Sequence, residues 1–295
     1  MSKIRKIVIP VAGHGTRVLP ATKSIPKEML PVVDKPLIDY VVEEALEAGI
    51  EHIIFVTGRN KGAIEDYFDH AFELETALAE KGKTELLEAC QSKVLTAGSI
   101  SYTRQQTPSG LGHAIWCARE LVGHEPFAIS LPDVIIKGQP GCLKEMVDHY
   151  AKVGGNMIAV EEVPQADVNK YGIIAPKGDA GADLIEMSGM VEKPPVDEAP
   201  SNLSITGRYI LQPEIFALLA NTKRGAGNEI QLTDAMAGLM TSQSFFANRF
   251  SGESHDCGSK LGWLKANIAF GLDRQELAKD LKDYISEISG QAPNR

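Results

Sequence analysis

The chain has 295 residues, of which 43% are hydrophobic and 23% charged, with a net charge of −9. That length can bury a large core, and the acidic balance disfavours a nucleic-acid partner held by bulk electrostatics. No stretch approaches the roughly 18 consecutive apolar residues of a membrane span, and the apolar run Ile7 to Ala12 is too short for a signal peptide. Cys90, Cys117, Cys142 and Cys257 lie outside C-x-x-C spacing. Together these features predict a cytoplasmic protein with reduced thiols and no membrane partner.

Residues 6–12 form a β-branched apolar run ending at Gly13, which predicts a buried strand leading into a loop. Residues 36–48 open with Pro36, carry apolar residues at helical spacing and stop at Gly49, which predicts a helix. Residues 52–57 read as a second strand, so the order predicts a parallel βαβ unit. Residues 64–91 are charged and periodic and predict two or three helices. A strand at 101–104, a helix at 111–122, a strand at 127–131, a helix at 143–153 and a strand at 156–163 continue the alternation. Shorter, antiparallel strands follow at 172–191, then a strand at 203–211, helices at 214–220 and 230–240, and a helical tail at 263–288. The expected architecture is α/β on a mixed, mostly parallel sheet. Its body spans 1–262, and the extension 263–295 covers the core or meets another copy.

The first loop reads Val11-Ala12-Gly13-His14-Gly15-Thr16-Arg17. Gly13 and Gly15 allow close backbone approach to a phosphate or a base, although G-x-G alone serves a tight turn equally well. Val18 stands where a dinucleotide fingerprint needs glycine, and no G-K-[S/T] follows. Instead Arg17, Lys23 and Lys27 supply positive charge behind the loop, and Pro20, Pro26 and Pro31 prevent one long helix. Asp133 follows the strand at 127–131, which sets it at a strand end where open α/β sheets bind ligands.

The run G-x-G-T-R, then K-S-x-P-K-E-M-L-P-V-x-D-K-P-L-I, resembles the opening of the sugar-nucleotide pyrophosphorylases. The similarity continues through Gly110-Leu111-Gly112-His113-Ala114, Leu131-Pro132-Asp133, Tyr171-Gly172, Val191-Glu192-Lys193-Pro194, Thr206-Gly207-Arg208-Tyr209, the segment from Asn228 to Asp234, and His255-Asp256-Cys257-Gly258. His14 departs from the aliphatic residue more usual in that loop. The resemblance implies a Rossmann-like nucleotidyltransferase fold. It also implies Mg²⁺-dependent transfer of a uridylyl group from UTP to glucose 1-phosphate, with release of pyrophosphate, in a homodimer or homotetramer. The same chemistry with dTTP, and a non-catalytic nucleotide-sugar-binding protein, are the alternatives. One methyl contact separates the two pyrimidines by only about 1–3 kcal/mol.

In such a reaction the nucleophile is a phosphate oxygen that is already ionised, so positioning and electrostatics dominate and no general base is needed. The resemblance implies Asp133 and Asp256 as metal ligands. It implies Arg17 and Lys27 on the β and γ phosphates, and Lys193 between the α-phosphate and the sugar phosphate. Ala12, Gly13, Gly15, Glu28, Gln105 and Gly110 are expected at the nucleotide. Gly172, Glu192, Thr206 and Arg208 are expected at the sugar. His113 is expected to be a surface or capping residue.

Overall fold

Alternation in the first strand sets the two faces of the molecule. β1 (Lys6–Pro10) carries Ile7, Val8 and Ile9, all fully buried. Successive side chains of a strand point to opposite faces, so a strand buried throughout needs cover on both. Ile7 and Ile9 join a core with Leu37, Val41, Leu143 and Met146. Val8 joins a second core with Ala114, Ile115, Leu219 and Met236. The computed structural model describes residues 2–290.

After β1 and its loop comes a two-residue hairpin, β2 (Pro31–Val32) and β3 (Lys35–Pro36). α1 (Leu37–Glu47) starts behind Pro36 and gives way to Gly49 at φ 82°, a left-handed value that glycine takes without strain. β4 (His52–Thr57) runs parallel to β1. The charged segment that follows is three helices, α2 (Gly62–Tyr67), α3 (Phe72–Glu80) and α4 (Thr84–Gln91). β5 (Ile100–Arg104) then pairs with β4.

The helix expected at 111–122 is divided at Ala118 into α5 (Leu111–Cys117) and α6 (Arg119–Val122). β6 (Phe127–Ser130) lies beside β1, and a turn at 131–133 leads to β7 (Val134–Lys137). α7 (Cys142–Val153) and β8 (Asn156–Glu162) follow. The second half adds β9 (Gly172–Lys177), β10 (Leu184–Glu192), β11 (Leu203–Leu211), α8 (Ile215–Leu219) and α9 (Leu232–Leu239). β12 (Phe245–Arg249) and β13 (Glu253–Asp256) come next.

The main sheet has the order β5-β4-β1-β6-β11-β8-β12-β10-β9. Parallel ladders join β5, β4, β1 and β6, and also β8 and β12. β11 is antiparallel to β6 and β8, and β10 is antiparallel to β12 and β9, so these two strands run against the rest. The sheet is therefore mixed. β7 and β13 pair apart from it, with Val134 opposite Asp256. Neither short strand is predicted from the sequence, and nor are β2, β3 and β12.

The tail begins earlier than expected. α10 (Lys260–Gly271) is capped by Ser259, whose Oγ accepts from Gly262 N, and α11 (Gln275–Gly290) follows. Trp263 Nε1 donates to Pro31 O at 2.9 Å and Val33 N donates to Asn267 Oδ1 at 3.0 Å, which ties α10 to the β2–β3 hairpin. Residues 291–295 of the extension lie outside the described residues.

Candidate active site

The glycine loop folds against its own basic segment. Gly15 has φ 66°, and a methyl group there would stand 3.0 Å from Lys27 Cβ and 3.3 Å from Thr22. Thr22 Oγ1 donates to Gly15 O at 2.7 Å, which closes the loop on itself. The prolines break the segment into single 3-10 turns at Thr16–Val18, Ala21–Lys23 and Lys27–Met29. The first and third of these turns carry Arg17 and Lys27.

The two aspartates meet these cations. Lys27 Nζ lies 2.6 Å from Asp133 Oδ2, and Arg17 Nη2 lies 3.3 Å from the same oxygen. Arg17 Nη1 reaches Asp256 Oδ2 at 3.5 Å, so one guanidinium spans both carboxylates. The β7–β13 pairing is what brings Asp256 across the chain to Asp133. Cys257 N donates to Asp133 O at 2.8 Å and Gly258 N donates to Asp256 Oδ1 at 2.9 Å, which fixes the following turn. A methyl group on Gly258 would stand 2.8 Å from Asp133 Oδ2, 2.9 Å from Asp256 Oδ1 and 2.4 Å from Arg17 Nη2. Both carboxylates therefore converge on one point that only glycine leaves open.

Charge coupling follows from this packing. Burial pushes the Asp133 carboxyl up, but Lys27 and Arg17 hold it below the usual aspartate range. Burial pushes Lys27 down, and Asp133 and Glu28 outweigh it, so the ammonium is held more firmly than usual. Burial, with Asp256 and Asp133 nearby, raises the Cys257 thiol to about 12, so it stays protonated.

A second corner gathers the expected sugar side. Gly172 and Glu192 pair across the ends of β9 and β10, and a methyl group on Gly172 would stand 3.1 Å from Glu192 Oε2. Thr233 Oγ1 donates to that same oxygen at 2.8 Å. Lys193 is held at φ 48°, its N–H donates to Tyr171 O at 2.9 Å, and its Nζ lies 3.7 Å from Glu192 Oε1. A non-glycine residue at such a φ is uncommon, and strain of this kind gathers at functional sites.

On the base side, Gln105 Nε2 donates to Gly110 O at 3.1 Å and lies 2.9 Å from His113 Nδ1. His113 is thus a partner of Gln105 and not a free surface group. Gly110 has φ 106°, and a methyl group there would stand 2.7 Å from Ile230 O. Ile230 N donates to Ser109 O and Gly112 N donates to Ile230 O, so the segment around Ile230 closes this loop. Ala12 is nearly buried and Gly13 is exposed at the end of β1.

Two expected site residues are fully enclosed by protein, and one of them departs from the expectation. Glu28 is fully buried beneath the loop, where Lys61 Nζ lies 2.7 Å from its Oε2 and Oε1 has no protein partner. Arg208 is fully buried too and does not line a sugar pocket. Its guanidinium donates to Glu44, Leu131 O, Gly207 O and Val134 O, which uses every donor it has. Thr206 is buried beside Ser204 O and Glu161 Oε1. Glu161, which sequence reasoning passes over, also accepts from Ser254 Oγ through both oxygens at 2.7 Å, two residues before Asp256. Lys61, Glu44 and Glu161 carry no motif signal, because charged groups on or beside helices and strands ordinarily face solvent, whereas Thr233 lies in the motif from Asn228 to Asp234 without a role assigned to it.

A mixed α/β sheet whose glycine loop turns basic groups onto paired carboxylates defines a phosphate-handling class. Residues 6–269 match the family model described as nucleotidyl transferase, and the chain belongs to that family. It is 50% identical over 288 residues to the UTP–glucose-1-phosphate uridylyltransferase of Bacillus subtilis (strain 168), covering 98% of each chain. Among solved structures it resembles the UTP-bound UGPase from Acinetobacter baumannii, with a TM-score of 0.90 and 49% identity over 96% of this chain and 99% of that one. It also resembles a UDP-glucose pyrophosphorylase complexed with UDP-glucose, with a TM-score of 0.82 and 45% identity over 92% and 100% of the two chains.

Proposed function

We infer that the chain joins UTP to glucose 1-phosphate, giving UDP-glucose and pyrophosphate. The observation that carries this reading is the convergence of Asp133 and Asp256 on one point beside Arg17 and Lys27. It stands in a chain half identical to a uridylyltransferase over nearly its whole length.

The sugar phosphate is largely dianionic at neutral pH, since its second pKa is about 6. Its oxygen attacks the α-phosphorus in line, and the bond to pyrophosphate breaks as the new P–O bond forms. No side chain has to remove a proton. The demand is to bring two anions together and to stabilise the departing one. Arg17 and Lys27 neutralise the β and γ phosphates, and Lys193 bridges the α-phosphate and the sugar phosphate. Gly172, Glu192 and Thr206 form the sugar side. The backbone at Ala12, Gly13, Gly15 and Gly110 and the side chains of Glu28 and Gln105 form the nucleotide side.

The donor set fits Mg²⁺. Asp133 and Asp256 offer hard oxygen ligands, and no cluster of three or more acidic, His or Cys side chains stands ready among the described residues. That leaves the remaining positions of an octahedral ion to phosphate oxygens and water. When bound there, the ion supplies neutralisation of phosphate charge.

No helix among the described residues is long and apolar enough to cross a membrane, and four free cysteines suit a cytoplasmic location. Exposed Leu264, Ile268, Tyr284 and Ile288 on α10 and α11 support a homodimer or homotetramer joined through the extension 263–295. The test is pyrophosphate release with UTP, dTTP, CTP or ATP and glucose 1-phosphate, with and without Mg²⁺. UTP is expected to lead, and turnover is expected to require the ion. A strong preference for dTTP, or binding of UDP-glucose without turnover, overturns the reading.

A further inference from the structure

Arg208 stands where a central strand breaks register. The ladder of β11 on β8 shifts between Ile205 and Tyr209, and Gly207 in the gap has φ 72°. A methyl group at Gly207 would press on the Leu131 side chain at 3.1 Å. A bulge of this kind bends its strand and re-aims a side chain. Here it directs Arg208 under the turn that carries Asp133. Nη1 donates to Leu131 O at 3.3 Å and Nη2 to Val134 O at 2.8 Å, so the two carbonyls flanking Pro132-Asp133 are held by one planar group. Nε and Nη2 also donate to Glu44 Oε2 at 3.0 and 2.7 Å. Glu44 Oε1 in turn accepts from Leu143 N at 3.0 Å, in the first turn of α7. On the other flank of the turn, Leu131 N donates to Gly207 O at 2.9 Å and Cys257 N to Asp133 O at 2.8 Å.

We propose that Arg208, oriented by Glu44 and by the bulge at Gly207, is a positioning residue that sets the Asp133 carboxylate for binding a divalent cation. The inference rests on the reading of Asp133 as a metal ligand. Only a planar fork with five donors serves the Glu44 carboxylate and the carbonyls of Leu131, Val134 and Gly207 together, and a lysine ammonium, with three donors, does not. A buried ion pair is a weak source of stability and is often replaceable by apolar groups without loss of fold. The aim of its donors at both shoulders of Asp133 accounts for the pair better than stability does. Groups that orient a metal ligand from behind typically matter nearly as much as the ligand itself.

The probe is Mn²⁺, titrated into the full chain saturated with UDP-glucose, with the free ion read by electron paramagnetic resonance. The double variant Glu44→Leu/Arg208→Met removes both charges at similar volume, and Arg208→Lys keeps the charge but loses the fork. In each, circular dichroism and thermal melting establish that the chain is folded. The expected result is Mn²⁺ binding weakened by about 10–100-fold and a fall of similar size in kcat, with KM for UTP and glucose 1-phosphate essentially unchanged. A general structural defect would move both KM values together with kcat. If either folded variant binds Mn²⁺ and turns over as the parent does, the positioning role is overturned. Should the double variant not fold, Arg208→Lys decides. Asp133→Asn is the separate arm: if it leaves Mn²⁺ binding intact, the metal reading fails instead.

Discussion

Lys27 and Asp133 stand 106 residues apart in sequence, yet their side chains meet at 2.6 Å. The contact occupies a carboxylate oxygen that the proposed metal would use, and Lys27 is the group proposed to hold the leaving pyrophosphate. The two proposed functions are therefore tied to each other here, and a metal-bearing triphosphate would separate them by offering each a stronger partner. Asp133→Asn keeps the volume and still accepts from Lys27, but it loses the charge. We expect turnover to fall by about 100–1000-fold, as for removal of one key electrostatic group, with the fold retained. Steady-state pyrophosphate release and a thermal melt check this, and near-normal turnover would contradict the assignment.

The same pair predicts an acid-side stability change. Asp133 is held below its ordinary pKa in the folded chain, so it binds fewer protons there than when unfolded. Its contribution is present above the unfolded value of about 3.9 and is lost as pH falls through the lower folded value. Lys27 is raised, so its contribution is complete below the ordinary lysine pKa and lost only as pH rises through the higher folded value. Urea titrations of the parent and Asp133→Asn should differ most near neutral pH and converge below about pH 4. A constant gap across that range would remove Asp133 as the source.

Lys193 holds a left-handed backbone next to Glu192. Lys193→Ala keeps the same backbone demand and removes only the ammonium, so it isolates the charge. We expect KM for glucose 1-phosphate to rise well above any change in KM for UTP. Equal losses for both substrates would count against a bridging role between the two phosphates.

Gly258 gives a test of the convergence that uses no charged substitution. In Gly258→Ala the new methyl group meets Arg17 Nη2 at 2.4 Å and both carboxylates below 3 Å. Arg17 can swing away at little cost, whereas Asp133, buried and held by Lys27, cannot. Activity should drop by about 10–100-fold, as for displacement of a group supporting a metal ligand. The melting temperature should also fall, because the methyl group overpacks a buried carboxylate that has no room to retreat, at a cost of about 1–3 kcal/mol. Full activity would mean that the space beside Gly258 is not used.

Much of this arrangement is legible in the sequence, and the exceptions share a cause. β6 announces itself as Phe-Ala-Ile-Ser, and Asp133 follows as the residue at a strand end. β13 reads Glu-Ser-His-Asp and contains no apolar residue, so no periodicity marks it. It is a strand because β7 offers it a partner, and family resemblance alone points to Asp256. A regular pleat would put Thr206 and Arg208 on one face and into one pocket, but the bulge at Gly207 breaks that rule and sends Arg208 into the core. Glu44 and Lys61 look like solvated charges on or beside helices. Their burial depends on partners 164 and 33 residues away, Arg208 and Glu28, which no local pattern encodes.

Glu28 and Lys61 yield a prediction of opposite sign for single and double changes. Burial raises the Glu28 carboxyl despite Lys61, and burial lowers the Lys61 ammonium despite Glu28. Both groups are displaced toward their neutral forms, and a buried ion pair of this kind is often replaceable by apolar residues of similar volume without loss of stability. Removing one member is a different matter, because it strands the other. Glu28→Leu should cost about 3–5 kcal/mol by leaving Lys61 buried and alone. Glu28→Leu/Lys61→Met should recover that loss and match or exceed the parent in stability, since both charges are gone and the volume is filled. Denaturant melts of the three chains measure the difference. The double variant should nonetheless turn over more slowly, because Glu28 belongs to the same single turn that presents the Lys27 ammonium to Asp133. A double variant as unstable as Glu28→Leu would show that the pair does hold the loop.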